Sequence, residues 1–327
     1  MNMKRLITIT ICTIVCMTTF GATVQRAILS HKGQLTQFDA NNWRDAIEQA
    51  VAGDTVYFTS GYFSYIIEGH GQGEVVIDKP ITLIGAGIGK ENCFYPEVYG
   101  DCCTDGQSTI INANINIAIP GSKTLQATVL EGFHFPDYCS VYATLPVTNL
   151  KLKKIQLVGG YGGGSFSSSA KLTNLVLEDC YVSWLYCDNF DNPDIHNCYF
   201  NYIMNAYEKE FTNCTIREFR DSEECTLINC ITNNCGYSTF INSIKLSYDD
   251  ANNTYIDCWF VENGQTKTKA DLVAGNYIGI DGSVVGPFGG EAPFMLIPSQ
   301  PYVSSSILTY MKSSKKLNVN VTVKKGQ

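Results

Sequence analysis

Residues 172–232 read LTNLVLEDCYVSWLYCDNFDNPDIHNCYFNYIMNAYEKEFTNCTIREFRDSEECTLINCIT. Here and just beyond, Cys180, Cys198, Cys214, Cys230 and Cys258 recur at intervals of 18, 16, 16 and 28 residues. Each stands in one small frame, with an apolar residue three before it and Asn or Asp immediately before it. The frames are Leu177-Asp179-Cys180, Ile195-Asn197-Cys198, Phe211-Asn213-Cys214, Leu227-Asn229-Cys230 and Tyr255-Asp257-Cys258. A unit this short cannot bury its own apolar face, so neighbours must stack to make a core. The period predicts a solenoid of stacked coils.

Working outward, the frame persists in weaker form upstream. Leu130, Phe133 and Phe135 fill its apolar slots around Gly132; Leu152, Ile155 and Leu157 do so around Lys154. Further upstream, residues 41–52 carry Trp43, Ala46, Ile47, Ala50 and Val51 at helical spacing, with Asn41 or Asn42 placed to cap. This predicts a helix lying across the open end of the stack. Residues 90–108 form a long loop, and 235–252 interrupt the repeat as an excursion. Two alternating runs, Val303–Tyr310 and Leu317–Val323, predict a C-terminal hairpin that must pack on the stack or pair with another subunit.

The chain opens with Lys4 and Arg5, an apolar run from Leu6 to Phe20, then Gly21 and Ala22. That pattern predicts a secretory signal peptide over residues 1–22. The expected division is leader 1–22, β-helix with its N-terminal cap 23–270, and C-terminal extension with the hairpin 271–327. Loss of Lys4 and Arg5 takes the formal net charge of −8 two units further negative. An acidic balance argues against nucleic acid, whose binding is driven by Lys and Arg on phosphates. No later segment predicts a membrane span.

Of 14 cysteines, the five in the repeat suit a reduced, buried column, because equivalent positions in stacked strands lie about 4.8 Å apart with parallel side chains. Cys93, Cys102 and Cys103 share the long loop and are the better disulfide candidates. In the slot before each repeat cysteine, Asp179, Asn197, Asn213, Asn229 and Asp257 suit a left-handed turn and read as structural.

The N-terminal module, AIEQAVAGDTVYFTSGYF (46–63) with KPITLIGAG (79–87) and VLEGFHF (129–135), resembles the entry cap and first coils of right-handed parallel β-helix proteins with the pectin-lyase-like fold. ATVQRAILSHKGQLTQFDA (22–40) and IGIDGSVVGPFGGEAPFMLIPSQP (278–301) resemble exported β-helix proteins of gut-type Gram-negative bacteria, a group without an established reaction. The resemblance decides against the leucine-rich repeat that Leu172, Leu175 and Leu177 also suggest, and implies an all-β, right-handed parallel β-helix solenoid of about 8–10 coils, export and a periplasmic or surface setting. It implies no activity, since this architecture hosts lyases, hydrolases, adhesins and tailspikes.

A lyase of this fold needs clustered carboxylates for Ca²⁺ and a basic residue; a hydrolase needs convergent carboxylates. Asp188, Asp191 and Asp194 crowd one loop and read as solvated. Arg217, Glu218, Arg220 and Asp221 read as an exposed set that pairs with itself. Lys151, Lys153 and Lys154 read as a solvated basic edge. His31, His70, His134 and His196 have no nucleophile set beside them, and GGYGGGSFSSS (159–169) lacks the ending of a phosphate-cradling loop. No catalytic residue, metal or cofactor is assigned.

The slot after each frame cysteine holds Tyr181, Tyr199, Thr215, Ile231 and Trp259. Strand alternation predicts that it faces solvent. Tyr181 and Tyr199, with Trp184, Tyr202 and Trp259, are therefore the candidate glycan contacts. The leading expectation is an exported, non-catalytic surface or periplasmic protein, glycan-binding or adhesin-like, with self-association through the hairpin. A polysaccharide lyase or glycoside hydrolase with an unorthodox site, and a purely structural, self-associating surface protein, are the alternatives.

Overall fold

The computed structural model describes residues 25–88, 108–120, 126–159, 164–234, 238–241, 243–245, 261–262, 265–266, 278–279, 281–291, 293–294, 302–311 and 316–324. Among the described residues the protein is mostly β, with one helix and a large, mostly parallel sheet. Helix α1 (Trp43–Gln49) is shorter than the 41–52 expected, because Ala50 is already extended. Its cap also differs. Asn42 makes no side-chain cap bond; instead the Asp39 carboxylate accepts the N–H groups of Asn41 at 2.9 Å and Asn42 at 3.1 Å. Trp43 meets Phe58 and Phe63 edge-on and donates its indole N–H to the Ser64 carbonyl at 3.2 Å. The helix thus closes one end of the core with apolar surface.

Arg26–His31 pairs antiparallel with Gln34–Asp39 and with Thr55–Phe58. From there every long-range ladder is parallel. One inward column passes in register from Val56 through Leu83, Leu130, Leu152, Leu177 and Ile195, and the next ladder continues it from Phe211 through Leu227 to Phe240. A second includes Phe135, Leu157, Val182, Phe200, Ile216 and Thr232. A third includes Val75, Ile115, Val141, Phe166, Leu185, Ile203 and Phe219. From Val56 to Leu227 the first column is buried throughout, and each side chain of this size contributes roughly 1.5–3 kcal/mol on burial. Breaking the stack therefore means exposing whole columns, which makes register the strongly specified variable.

Between ladders the backbone turns through left-handed residues that recur with the sequence period. Asn197, Asn213 and Asn229 have φ of 53°, 51° and 52°, with Lys154 and Asp179 continuing the column at 51° and 56°. Asn192, Glu208 and Glu224 form a second such column, and Asn205 and Asp221 a third. Asn tolerates this conformation because its short amide compensates locally; Glu carries a penalty of roughly 1–2 kcal/mol.

The expected excursion at 235–252 is corrected. Thr239–Ile241 pairs with Thr226–Ile228, and Ile244–Lys245 pairs with Ile231 and Thr232, so the stack gains one more rung here. Phe240-Ile241-Asn242-Ser243 repeats the frame with Ser in the cysteine slot. Ser243 follows Cys230 in the stack, the place expected for Cys258. Asp257, Cys258 and Trp259, and the disulfide candidates Cys93, Cys102 and Cys103, lie outside the described residues. Tyr302–Met311 and Lys316–Lys324 form an antiparallel hairpin with a register shift between Val303 and Ser305.

Candidate binding surface

The four described repeat cysteines are buried and free. Each thiol donates to the carbonyl two residues earlier: Cys180 to Glu178 at 3.3 Å, Cys198 to His196 at 3.1 Å, Cys214 to Thr212 and Cys230 to Ile228, both at 3.2 Å. The N–H groups of Cys180 and Cys214 donate at 3.3 Å to the sulfurs of Cys198 and Cys230 on the next rung. Burial pushes the Cys187, Cys198 and Cys230 thiols well above their ordinary range, which disfavours the thiolate at these positions.

The slot after the cysteines does not face solvent. Tyr181 is 2 % exposed and Tyr199 1 %, and Thr215 and Ile231 are equally covered. The cover is a strap, residues 281–291 with Pro293 and Phe294, which runs back along the wall against the direction in which the stack grows. Gly286 donates its N–H to the Asn229 carbonyl at 2.8 Å, and the Asn197 amide donates to the carbonyls of Pro287 at 2.9 Å and Gly289 at 2.8 Å. Phe294 then packs with Ile88, Tyr181 and Tyr199, and Phe288 and Val158 lie against the same cluster. The two tyrosine rings stack at 4.8 Å, and Asn201 links their hydroxyls, accepting from Tyr199 at 2.7 Å and donating to Tyr181 at 3.1 Å. Alternation predicts these rings at the surface; a segment about 90 residues later buries them. Tyr181 and Tyr199 are thereby removed as surface contacts.

Trp184 and Tyr202 lie in register on a different wall and stack at 4.2 Å and 20°. Trp184 is mostly buried and Tyr202 partly exposed. The Arg220 guanidinium lies 4.3 Å from the Tyr202 ring centroid and 5.6 Å from that of Trp184, and is held in place by both oxygens of Glu218 at 2.7 and 3.2 Å. Arg217 approaches Tyr202 at 5.9 Å. Stacking along the rungs thus occupies ring faces, while Arg220 is engaged by Glu218 and by both rings. Cation–π contacts of this kind contribute roughly 0.5–1 kcal/mol.

The other charged groups take structural roles. Lys154, expected on a solvated edge with Lys151 and Lys153, is buried and bonds Asp179 at 2.7 Å; Lys153 pairs with Glu178. Burial raises the Asp179 carboxyl to about 6 against the opposing pull of Lys154. Burial would also raise Glu178, but the bond and charge of Lys153 outweigh it and hold that carboxyl low. His134 is buried, its Nδ1 2.7 Å from Gln156 Oε1, and burial lowers its imidazole to about 4. His31 pairs with Asp54 at 2.9 Å. In the acidic loop Asp191 pairs with Lys171 at 2.8 Å and Asp188 accepts from Asn205 at 2.8 Å. Among the described residues no group of three His, Cys, Asp or Glu could hold a metal ion, and no helix is long and apolar enough to cross a membrane.

No known protein family, no curated protein and no solved structure matches the chain.

Proposed function

We propose that the chain is a right-handed parallel β-helix, exported to the periplasm or cell surface, that serves as a non-catalytic, adhesin-like scaffold with glycan as its ligand class. The fold reading rests on parallel ladders that return in register every 13 to 25 residues from Leu130 onward, with right-handed crossovers the overwhelming rule for such connections. The observation that carries the functional reading is the Trp184–Tyr202–Arg220 array on one wall. It sets aromatic edges beside guanidinium and carboxylate groups, the mixture of apolar area and hydrogen-bonding groups that sugars require. The charged residues that catalysis would recruit nearby are engaged in pairs that join rungs, Lys154 with Asp179 and Lys153 with Glu178.

The test is retention of the purified protein on a glycan array, alongside Tyr202→Ala and Arg217→Ala. The wild-type protein is expected to bind and both variants to lose at least tenfold in affinity. Equal retention of all three would remove this wall as the site. Incubation with acidic and neutral glycans, with and without Ca²⁺, tests the enzymatic alternative: unsaturated products or new reducing ends would establish a lyase or hydrolase and overturn the scaffold reading.

A further inference from the structure

The strap is held through its main chain and through buried side chains, Val284 and Val285 among them. Asn197 spends both amide N–H groups on the Pro287 and Gly289 carbonyls, and Asn229 receives the Gly286 N–H through its own carbonyl. Close approach demands glycine. Gly286 and Gly290 have φ of 84° and 80°, and a Cβ on Gly290 would collide with the Asn213 amide nitrogen. One side chain anchors the far end: Phe294, against Tyr181, Tyr199 and Ile88. The groove also has an unused group. Asn213 is 6 % exposed, and its Oδ1 has no hydrogen-bond partner. A buried acceptor without a donor is destabilising, so the wall offers more than its present occupant uses.

The connection to the strap bears on what else can fill the groove. Among the described residues the last rung ends at Lys245, and Gly279 lies against Asn229 one rung back. Rungs are about 5 Å apart, and the 32 residues between, 246–277, are chain enough to reach the groove of a neighbouring copy.

We propose that the wall formed by Asn197, Asn213, Asn229, Tyr181 and Tyr199 is a strand-receptor groove that reads the main chain of a glycine-rich segment, with the strap of a second copy as its exchangeable occupant. Copies then join by reciprocal strap exchange. The preference for the chain's own strap is one of effective concentration, which falls as the connection lengthens. Exchange therefore belongs to crowded or surface-arrayed protein rather than to dilute solution. The proposal is independent of the glycan reading, which concerns a different wall.

The test uses a fluorescent peptide of residues 278–294 titrated into full-length protein, into Gly290→Val and into Phe294→Asp. Limited proteolysis within the strap reports its release, and circular dichroism reports the stack. Saturable binding is expected for each variant that releases its strap with the stack intact, at least tenfold tighter than to wild type. The peptide carrying Gly290→Val is expected not to bind. A released strap with no saturable binding overturns the proposal, and so does a strap that stays protected in both variants. Should Gly290→Val lose the stack, Phe294→Asp alone decides. Failure here leaves the glycan array result untouched, and the reverse holds too.

Discussion

The N–H of Cys230 donates to the Ser243 hydroxyl at 2.9 Å, on the rung after that where the N–H of Cys214 donates to the Cys230 sulfur. Ser243 in turn donates to the carbonyls of Leu227 at 2.9 Å and Ile241 at 3.0 Å, as the thiols do one rung earlier. Serine and cysteine are thus interchangeable bridges in one column. Ser243→Cys is expected to leave stability within about 1 kcal/mol of wild type. Ser243→Val leaves the Cys230 N–H without its acceptor and is expected to cost about 1–3 kcal/mol. Urea unfolding of the two variants checks both values; equal losses would show that size, not hydrogen bonding, governs the slot.

Glu208 and Glu224 hold left-handed backbone at φ of 53° and 57°, one period apart, in a column where Asn192 stands on the preceding rung. Replacing each with Asn relieves part of a penalty of roughly 1–2 kcal/mol per residue. Glu208→Asn and Glu224→Asn are each expected to raise the thermal midpoint, and the double variant to do so additively. A lowered midpoint would show that the Glu side chains make contacts worth more than the backbone strain.

Two buried groups give opposite pH dependence. Asp179 is raised from 3.8 to about 6 in the fold, so its contribution is complete below the lower value and is lost as pH rises through the upper. His134 is lowered from 6.5 to about 4, so its contribution is complete above the first value and is lost as pH falls through the second. Relative to Asp179→Asn, the wild-type protein should therefore gain stability on acidification from pH 7 to 5. Relative to His134→Gln, it should lose stability between pH 6.5 and 4. Urea midpoints across pH read both differences. Parallel curves for a variant and wild type would remove that group from the balance.

The hairpin carries Leu317, Val319, Val321 and Val323 at alternate positions along one strand. An isolated hairpin is marginal in water, and its edges can accept further strands. Deleting residues 302–327 is expected to lower solubility or change the oligomeric state, measured by light scattering after gel filtration. An unchanged monomer of equal solubility would exclude the hairpin from assembly.

Part of this was legible without coordinates. Leu177, Ile195, Phe211 and Leu227 announce an inward column because each precedes its cysteine by three, and Asn197, Asn213 and Asn229 announce the turns because few residues tolerate that backbone. The rung at 239–245 is hard to see in the sequence because Phe240, Asn242 and Ser243 spell the same frame without its cysteine. Lys154 looks like a surface charge in the sequence because its partner, Asp179, lies 25 residues away on the next rung.

The sequence by itself determined the period, the inward columns and the left-handed turns, because each follows from local backbone preference and the alternation of one strand. Only the tertiary structure decided which outward side chains meet water. Tyr181 and Trp184 sit three residues apart, yet one lies under the strap while the other stacks beneath Tyr202 and an arginine. Exposure depends on what returns to cover a wall. For Tyr181 that is Phe294, more than a hundred residues along the chain, and no pattern within the repeat carries that information.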